Sequence, residues 1–232
     1  MNIKPVIDHD IWKSESFLNS HLPDNFLLSV FIYALIAWAV TVLDMMVPSL
    51  SRIMRANGHN VFEQGRYINL VWGVFAHGSI SHYLSNMMYI VIFGSLISGY
   101  FGHRIFWFML FPAALITHGI SLYSYSPNTT LIGSSGFVFI IMPYWIILHY
   151  LSTKHNDGLR RGLKTAGFAI MMLYPMSFKP TTSYRTHYIG MIAGIILGLI
   201  SGQVLKNDIR RRNIEYCSEK TVIRDTGLFH NS

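Results

Sequence analysis

The sequence predicts an all-α polytopic membrane protein, and three observations predict it. Apolar residues make up 51% of the 232-residue chain and charged residues only 12%, about half the ~25% usual in soluble domains. The charges are confined to short clusters between apolar runs long enough to cross a bilayer. The net charge of +7 sits in the segments flanking those runs, which is the pattern of cytoplasmic anchoring rather than of nucleic-acid binding. The lipid bilayer is therefore the expected partner, and nucleic acid is not.

Each segment follows in order. Residues 1–25 are mixed and polar with no apolar core, so no signal peptide is expected, and this stretch reads as a cytoplasmic N-terminal segment. Residues 26–46 form an apolar run of about 30 Å as a helix, enough for one crossing, and Pro48 ends it. Residues 49–70 carry Arg52, Arg55 and Arg66, are too polar to span, and read as an interfacial loop. Further spans are expected at 71–100, 105–123, 131–151, 163–178 and 188–205, giving a six-helix membrane domain over residues 26–205. Residues 206–232 read as a cytoplasmic basic tail, expected to be mobile. With the N-terminus inside, thirteen Lys and Arg lie on the inner side and five on the outer. That bias puts both termini in the cytoplasm.

Several chemistries are excluded by what the chain lacks. A single cysteine, Cys217, rules out an internal disulfide and a Cys-based zinc cluster. The zinc-protease pattern H-E-x-x-H is absent. Asp44 is the only acid within a span, whereas an aspartyl intramembrane protease needs two. No metal or other cofactor is expected.

The polar residues inside the spans gather at the outer leaflet. Gly133-Ser134-Ser135-Gly136 opens the fourth span, between a polar loop and an apolar run. The head of the second span holds His77, His82 and Asn86, and the four-residue interval puts His82 and Asn86 on one helix face. Singly, each is satisfied by an ordinary hydrogen bond between helices. Stacked in hydrocarbon, they imply a use. His187 heads the sixth span and precedes Gly190, Gly194, Gly198 and Gly202, a glycine at every fourth position. Such a ridge serves close helix packing, and it also lets a histidine approach a neighbouring serine. Gly133 and Gly136 leave the opposing helix equally bare. Ser135 is then the nucleophile and His187 its base, with no acid near to complete a triad. The oxyanion would face the N-terminal end of the fourth helix, with His82 and Asn86 adding donors.

These residues resemble the rhomboid intramembrane serine proteases. The family's G-x-S-G is met at Gly133 to Gly136, its H-x4-H-x3-N at His77, His82 and Asn86, and its H-x2-G-x3-G at His187, Gly190 and Gly194. The three motifs stand in family order, each on its expected helix. The resemblance spans residues 26–205 and implies a rhomboid-like six-transmembrane-helix bundle. It implies a Ser135–His187 dyad and an oxyanion hole of His82, Asn86 and the Ser135 backbone N–H, with His77 in support. It also implies single-pass transmembrane proteins as substrates.

Departures are visible too. The family's Trp-Arg pair in the first outer loop has only Gly65-Arg66 as counterpart. Phe139 stands where many members have a tyrosine stacked on the histidine. Pro143 is expected to kink the fourth helix.

The remaining polar residues have plainer readings. His118 pairs with a neighbouring helix, His103 and His149 lie near the inner surface, and Arg210-Arg211-Arg212 anchors to anionic lipid. Ser134 is a nucleophile only if the motif register is wrong. A non-catalytic rhomboid-like protein that binds client helices is the alternative, though the chain keeps both serine and histidine. A transporter needs ionisable residues through the bilayer, and here they cluster at one leaflet. With no eukaryotic sorting signal, a bacterial inner membrane is the expected location, the site opening to the periplasm. Oligomeric state is left open, since the glycine ridge serves packing within one molecule or between two.

Overall fold

The computed structural model describes residues 6–173 and 183–226. In chain order its main elements are α1 (His9–Ser14), α2 (Leu28–Met46), β1 (Ala56–Asn57), α3 (Ile68–Phe75), α4 (Ile80–Phe101), α5 (His103–Ser124), β2 (Thr130–Leu131), α6 (Ser135–Ser152), α7 (Gly158–Leu173), α8 (Tyr184–Val204) and α9 (Lys206–Thr226). The all-α membrane architecture expected from the sequence is the one observed. Among the described residues, α2, α4, α5, α6 and α8 are long and apolar enough to cross a membrane. The remaining expected span, 163–178, begins within α7, which has 16 residues. Its continuation from residue 174 lies outside the described residues.

The chain divides into two compact units, of which the larger holds residues 22–145 and 176–197. Its first span shows how the sequence sorts its faces. Val30, Tyr33, Ala37, Val40, Thr41 and Asp44 are buried at helical spacing, while Leu28, Phe31, Leu35 and Trp38 stay exposed, as a lipid-facing stripe should. The Tyr33 ring lies 5.0 Å from Phe75, 5.2 Å from Phe137 and 6.1 Å from Phe106. Aromatic pairs of this kind contribute roughly 0.5–1.5 kcal/mol each beyond burial, so Tyr33 is a hub joining four segments.

The expected interfacial loop has a specific architecture. Asp44, fully buried at the end of α2, takes a two-pronged ion pair from Arg55, with Nη2 to Oδ2 at 2.9 Å and Nε to Oδ1 at 3.1 Å. The Arg55 carbonyl accepts from the side-chain amides of Asn60 and Asn69 at 2.8 and 2.9 Å. Asn57 and Asn60 bond each other's backbone N–H reciprocally. Side chains thus satisfy backbone groups that no regular element covers. The loop also supplies β1, which runs antiparallel to β2 with Ala56 opposite Leu131 and Asn57 opposite Thr130.

The second apolar stretch, expected as one span over 71–100, is broken. Ala76 is extended, and Ser79 starts a new helix by accepting the His82 N–H at 3.1 Å. A serine cap in mid-stretch restarts the helix, so α3 and α4 are separate and His77 lies in the turn between them.

The smaller unit gathers residues up to 21, 146–175 and 198 onward. It corrects the expectation of a mobile basic tail, because α9 is an ordered helix through Thr226. Ile209, Asn213, Cys217 and Thr221 recur every four residues and are all buried. Asn213 accepts the Phe17 N–H at 3.0 Å and donates to the Ser152 carbonyl at 2.8 Å. Thr221 accepts the Asp8 N–H at 3.0 Å, and Arg224 reaches the Asp8 carboxylate at 2.6 Å. That guanidinium, with the α1 N–H groups capped by Asp8, holds the carboxyl below its usual range. Two of the four buried positions are polar, so the stripe that orders α9 is a row of hydrogen bonds as much as an apolar face.

Candidate active site

The site is built by the turn that joins β2 to α6. Gly133 sits at φ +110°, a conformation open to glycine and strained for other residues. Its N–H donates to the Gly73 carbonyl at 2.8 Å. A Cβ at this position would lie 2.6 Å from the His82 ring, so the turn passes directly under that imidazole. Both demands require glycine.

The two serines that follow have different environments. Ser134 is fully buried. Its hydroxyl is 2.7 Å from the Tyr33 hydroxyl, 2.9 Å from the Val74 carbonyl and 3.2 Å from His77 Nε2. Its backbone N–H donates to the same ring nitrogen at 3.3 Å. Ser135, the first residue of α6, is half-buried. Its backbone N–H belongs to the first turn, whose donors have no carbonyl within the helix to bond.

His187 lies in the first turn of α8, which starts at Tyr184 rather than at the expected residue 188. It is buried and stacks flat on Phe139, ring centroids 4.0 Å apart at 16°. Phe139 is four residues beyond Ser135, hence on the same face of α6. Below it the two helices touch through bare backbone. A Cβ on Gly190 would fall 3.0 Å from the Gly136 carbonyl oxygen and 3.1 Å from Phe139 Cβ, and one on Gly194 would run into the Ile140 carbonyl and the Pro143 ring. The helix α6 continues through Pro143 as one element.

The head of α8 is held by hydroxyls that the sequence did not single out. Tyr125 Oη is 2.9 Å from Ser183 Oγ, Ser183 is 2.5 Å from Thr186, and Thr186 donates to Ser121 Oγ at 3.0 Å. A Cβ on Gly136 would collide with Thr117 and approach Thr186. The available signal was the clustering of Ser and Thr at matching ends of two spans, which local periodicity does not flag.

On α4, His82 and Asn86 lie one turn apart, the His82 ring 5.1 Å from that of His77. Among the described residues, the side-chain N–H2 of Asn86 is buried without a hydrogen-bond partner, and so is Nδ1 of His187. Orphaned buried polar atoms are rare. The other spans' histidines pack elsewhere: His103 Nδ1 is 2.8 Å from Ser29 Oγ, His149 rests against Phe168, and His118 lies beside Gly73. Among the described residues no group of three His, Cys, Asp or Glu side chains forms a metal site. A polar cavity of about 410 Å³ lies over the interfacial loop, lined by Arg55, His59, Gln64 and Arg66 among others, and includes none of the residues above.

Comparison with known proteins adds two findings. The family model of the Rhomboid domain matches residues 64–204. The rhomboid protease GlpG of Haemophilus influenzae is 29% identical over 150 residues, covering 63% of this chain and 74% of the relative.

Proposed function

The chain belongs to the Rhomboid family, and from that premise we propose that it is an intramembrane serine endopeptidase using Ser135 and His187 as a dyad. The observation that carries this reading is the stacking of His187 on Phe139, one turn along the Ser135 face of α6. Gly190 and Gly194 support it by admitting the carbonyls of α6 against α8.

In this mechanism His187 takes the Ser135 hydroxyl proton as Oγ attacks the scissile carbonyl carbon. The carbonyl oxygen becomes an oxyanion facing the Ser135 N–H, the vacant Asn86 N–H2 and the His82 ring. His187 then gives its proton to the leaving nitrogen as the C–N bond breaks, leaving an acyl ester on Ser135. Water, deprotonated by His187, attacks that ester, and the serine recovers its proton as the acid product leaves. His77 supports the site from the turn beneath it.

The substrates are single-pass transmembrane proteins, cut where the helix unwinds near the membrane surface. The location is a bacterial inner membrane, and the Lys and Arg distribution supports both termini being cytoplasmic and the site opening outward. A serine-directed fluorophosphonate tests the nucleophile: wild-type protein in detergent is expected to label and Ser135→Ala not to. Equal labelling of the two would remove Ser135 from the mechanism. Cleavage of a single-span reporter protein should be lost in His187→Ala and kept in His118→Ala. A wild type that captures client helices without cutting them would instead favour the non-catalytic alternative.

A further inference from the structure

Ser134 immediately precedes α6, the place where a serine ordinarily turns its hydroxyl back onto the first free N–H groups of the helix. Here, among the described residues, that hydroxyl bonds away from the helix. The Val74 carbonyl can only accept, so the Ser134 hydroxyl donates to it at 2.9 Å. The Tyr33 hydroxyl, 2.7 Å away, is then the donor to Ser134 Oγ. His77 takes a fixed role in the same cluster. Its Nδ1 faces the Phe75 carbonyl at 2.9 Å and the Thr41 hydroxyl at 3.2 Å. A carbonyl needs a donor, so Nδ1 carries the proton and Nε2 accepts the Ser134 N–H. Tyr33, Thr41, His77 and Ser134 are all fully buried, and the chain of donors runs Tyr33 to Ser134 to Val74.

We infer that Tyr33 and His77 are positioning residues whose task is to keep Ser134 from capping its own helix. This inference rests on the proposed hydrolase chemistry, in which the Ser135 N–H receives the oxyanion. A serine hydroxyl turned onto the head of α6 would compete for that end of the helix and lower its positive potential. With its proton given to Val74 and one of its two lone pairs to Tyr33, Ser134 Oγ is held turned away from the head of α6, which stays uncapped. Nothing local in the sequence could enforce this, because serine before a helix favours the cap. The restraint comes from α2, a hundred residues away in the chain.

The test is a pair of variants on the intact protein. Tyr33→Phe keeps the ring packing against Phe75 and Phe137 but removes the donor to Ser134. The Ser134 hydroxyl then loses the donor that helps hold it toward Val74 and is expected to turn onto the free N–H groups of its own helix. The expected result is a fall in kcat of ten-fold or more, with KM little changed and the thermal midpoint kept or raised by the new cap. Adding Ser134→Ala removes the competing hydroxyl, so the double variant should recover most of the lost kcat. A double variant no more active than Tyr33→Phe overturns the inference, as does a Tyr33→Phe variant that retains wild-type kcat. If wild-type protein neither labels with fluorophosphonate nor cleaves a reporter, the hydrolase reading itself fails and this inference falls with it. An active wild type without recovery in the double variant sinks the inference alone.

Discussion

Asn86 and Gly133 make different demands on the same few ångströms. The Asn86 amide is buried with a donor that meets no partner among the described residues, a state that destabilises the resting protein because the group has left water. Replacing it with alanine should therefore leave thermal stability unchanged or slightly raised, while kcat falls about a hundred-fold if Asn86 is the oxyanion donor proposed above. A melting curve and a reporter-cleavage assay on one preparation check both halves. Equal loss of stability and activity would make Asn86 a packing residue. Gly133→Ala should do the reverse on stability. The left-handed backbone disfavours alanine by about 1–2 kcal/mol, and the new methyl would press on the His82 ring, so both the melting point and kcat should drop.

At the scale of elements, the α6–α8 contact depends on absent side chains. Gly194→Val would drive a branched side chain into the Ile140 carbonyl and the Pro143 ring. The helices should part and cleavage should vanish. Gly162→Ala in α7 meets nothing within 4 Å and should stabilise the protein by about 0.5–1 kcal/mol through helix propensity, with activity intact. A parallel measurement of cleavage and denaturation midpoint separates the two. Five of the six expected spans and the close approach allowed by Gly190 and Gly194 were legible in the sequence because hydropathy and interval are local properties. The order in α9 was not. Its buried stripe of Ile209, Asn213, Cys217 and Thr221 is half polar, so a search for apolar periodicity passes over it. Nor was the restart of the helix at Ser79, where one hydroxyl outweighs the apolar run around it. The bonds from Tyr33 to Ser134 and from Asp44 to Arg55 join residues whose meeting only the folded chain decides.

At the scale of the whole molecule, the single cysteine gives a direct view of the smaller unit. Cys217 is fully buried, and burial pushes its thiol up to about 11. At pH 8 an alkylating reagent should modify it only when that unit opens, so the labelling rate measures local unfolding. Asn213→Ala, which severs the bonds to Phe17 and Ser152, should accelerate labelling at least ten-fold. His155 adds a pH dependence. Burial lowers its pKa below the ordinary value of 6.5, although its bond to the Glu15 carbonyl opposes this. The unfolded chain therefore binds the proton first as acid is added. Stability contributed by neutral His155 is full above pH 6.5 and is lost as pH falls toward the lower folded value. Cys217 labelling should thus quicken between pH 7 and pH 5 once corrected for the reagent's own pH profile, and His155→Gln should flatten that trend.

The short ladder between Ala56 and Leu131 ties the loop after α2, backbone bonded to backbone, to the segment that leads into Ser135. Leu131 stands four residues from Ser135, with no slack peptide between them except the glycine turn. A displacement of that loop would therefore be passed, through the rung, to the glycine turn before Ser135. Shifting the rung by one residue should therefore displace Ser135, the proposed nucleophile, even though both Ser135 and His187 are retained.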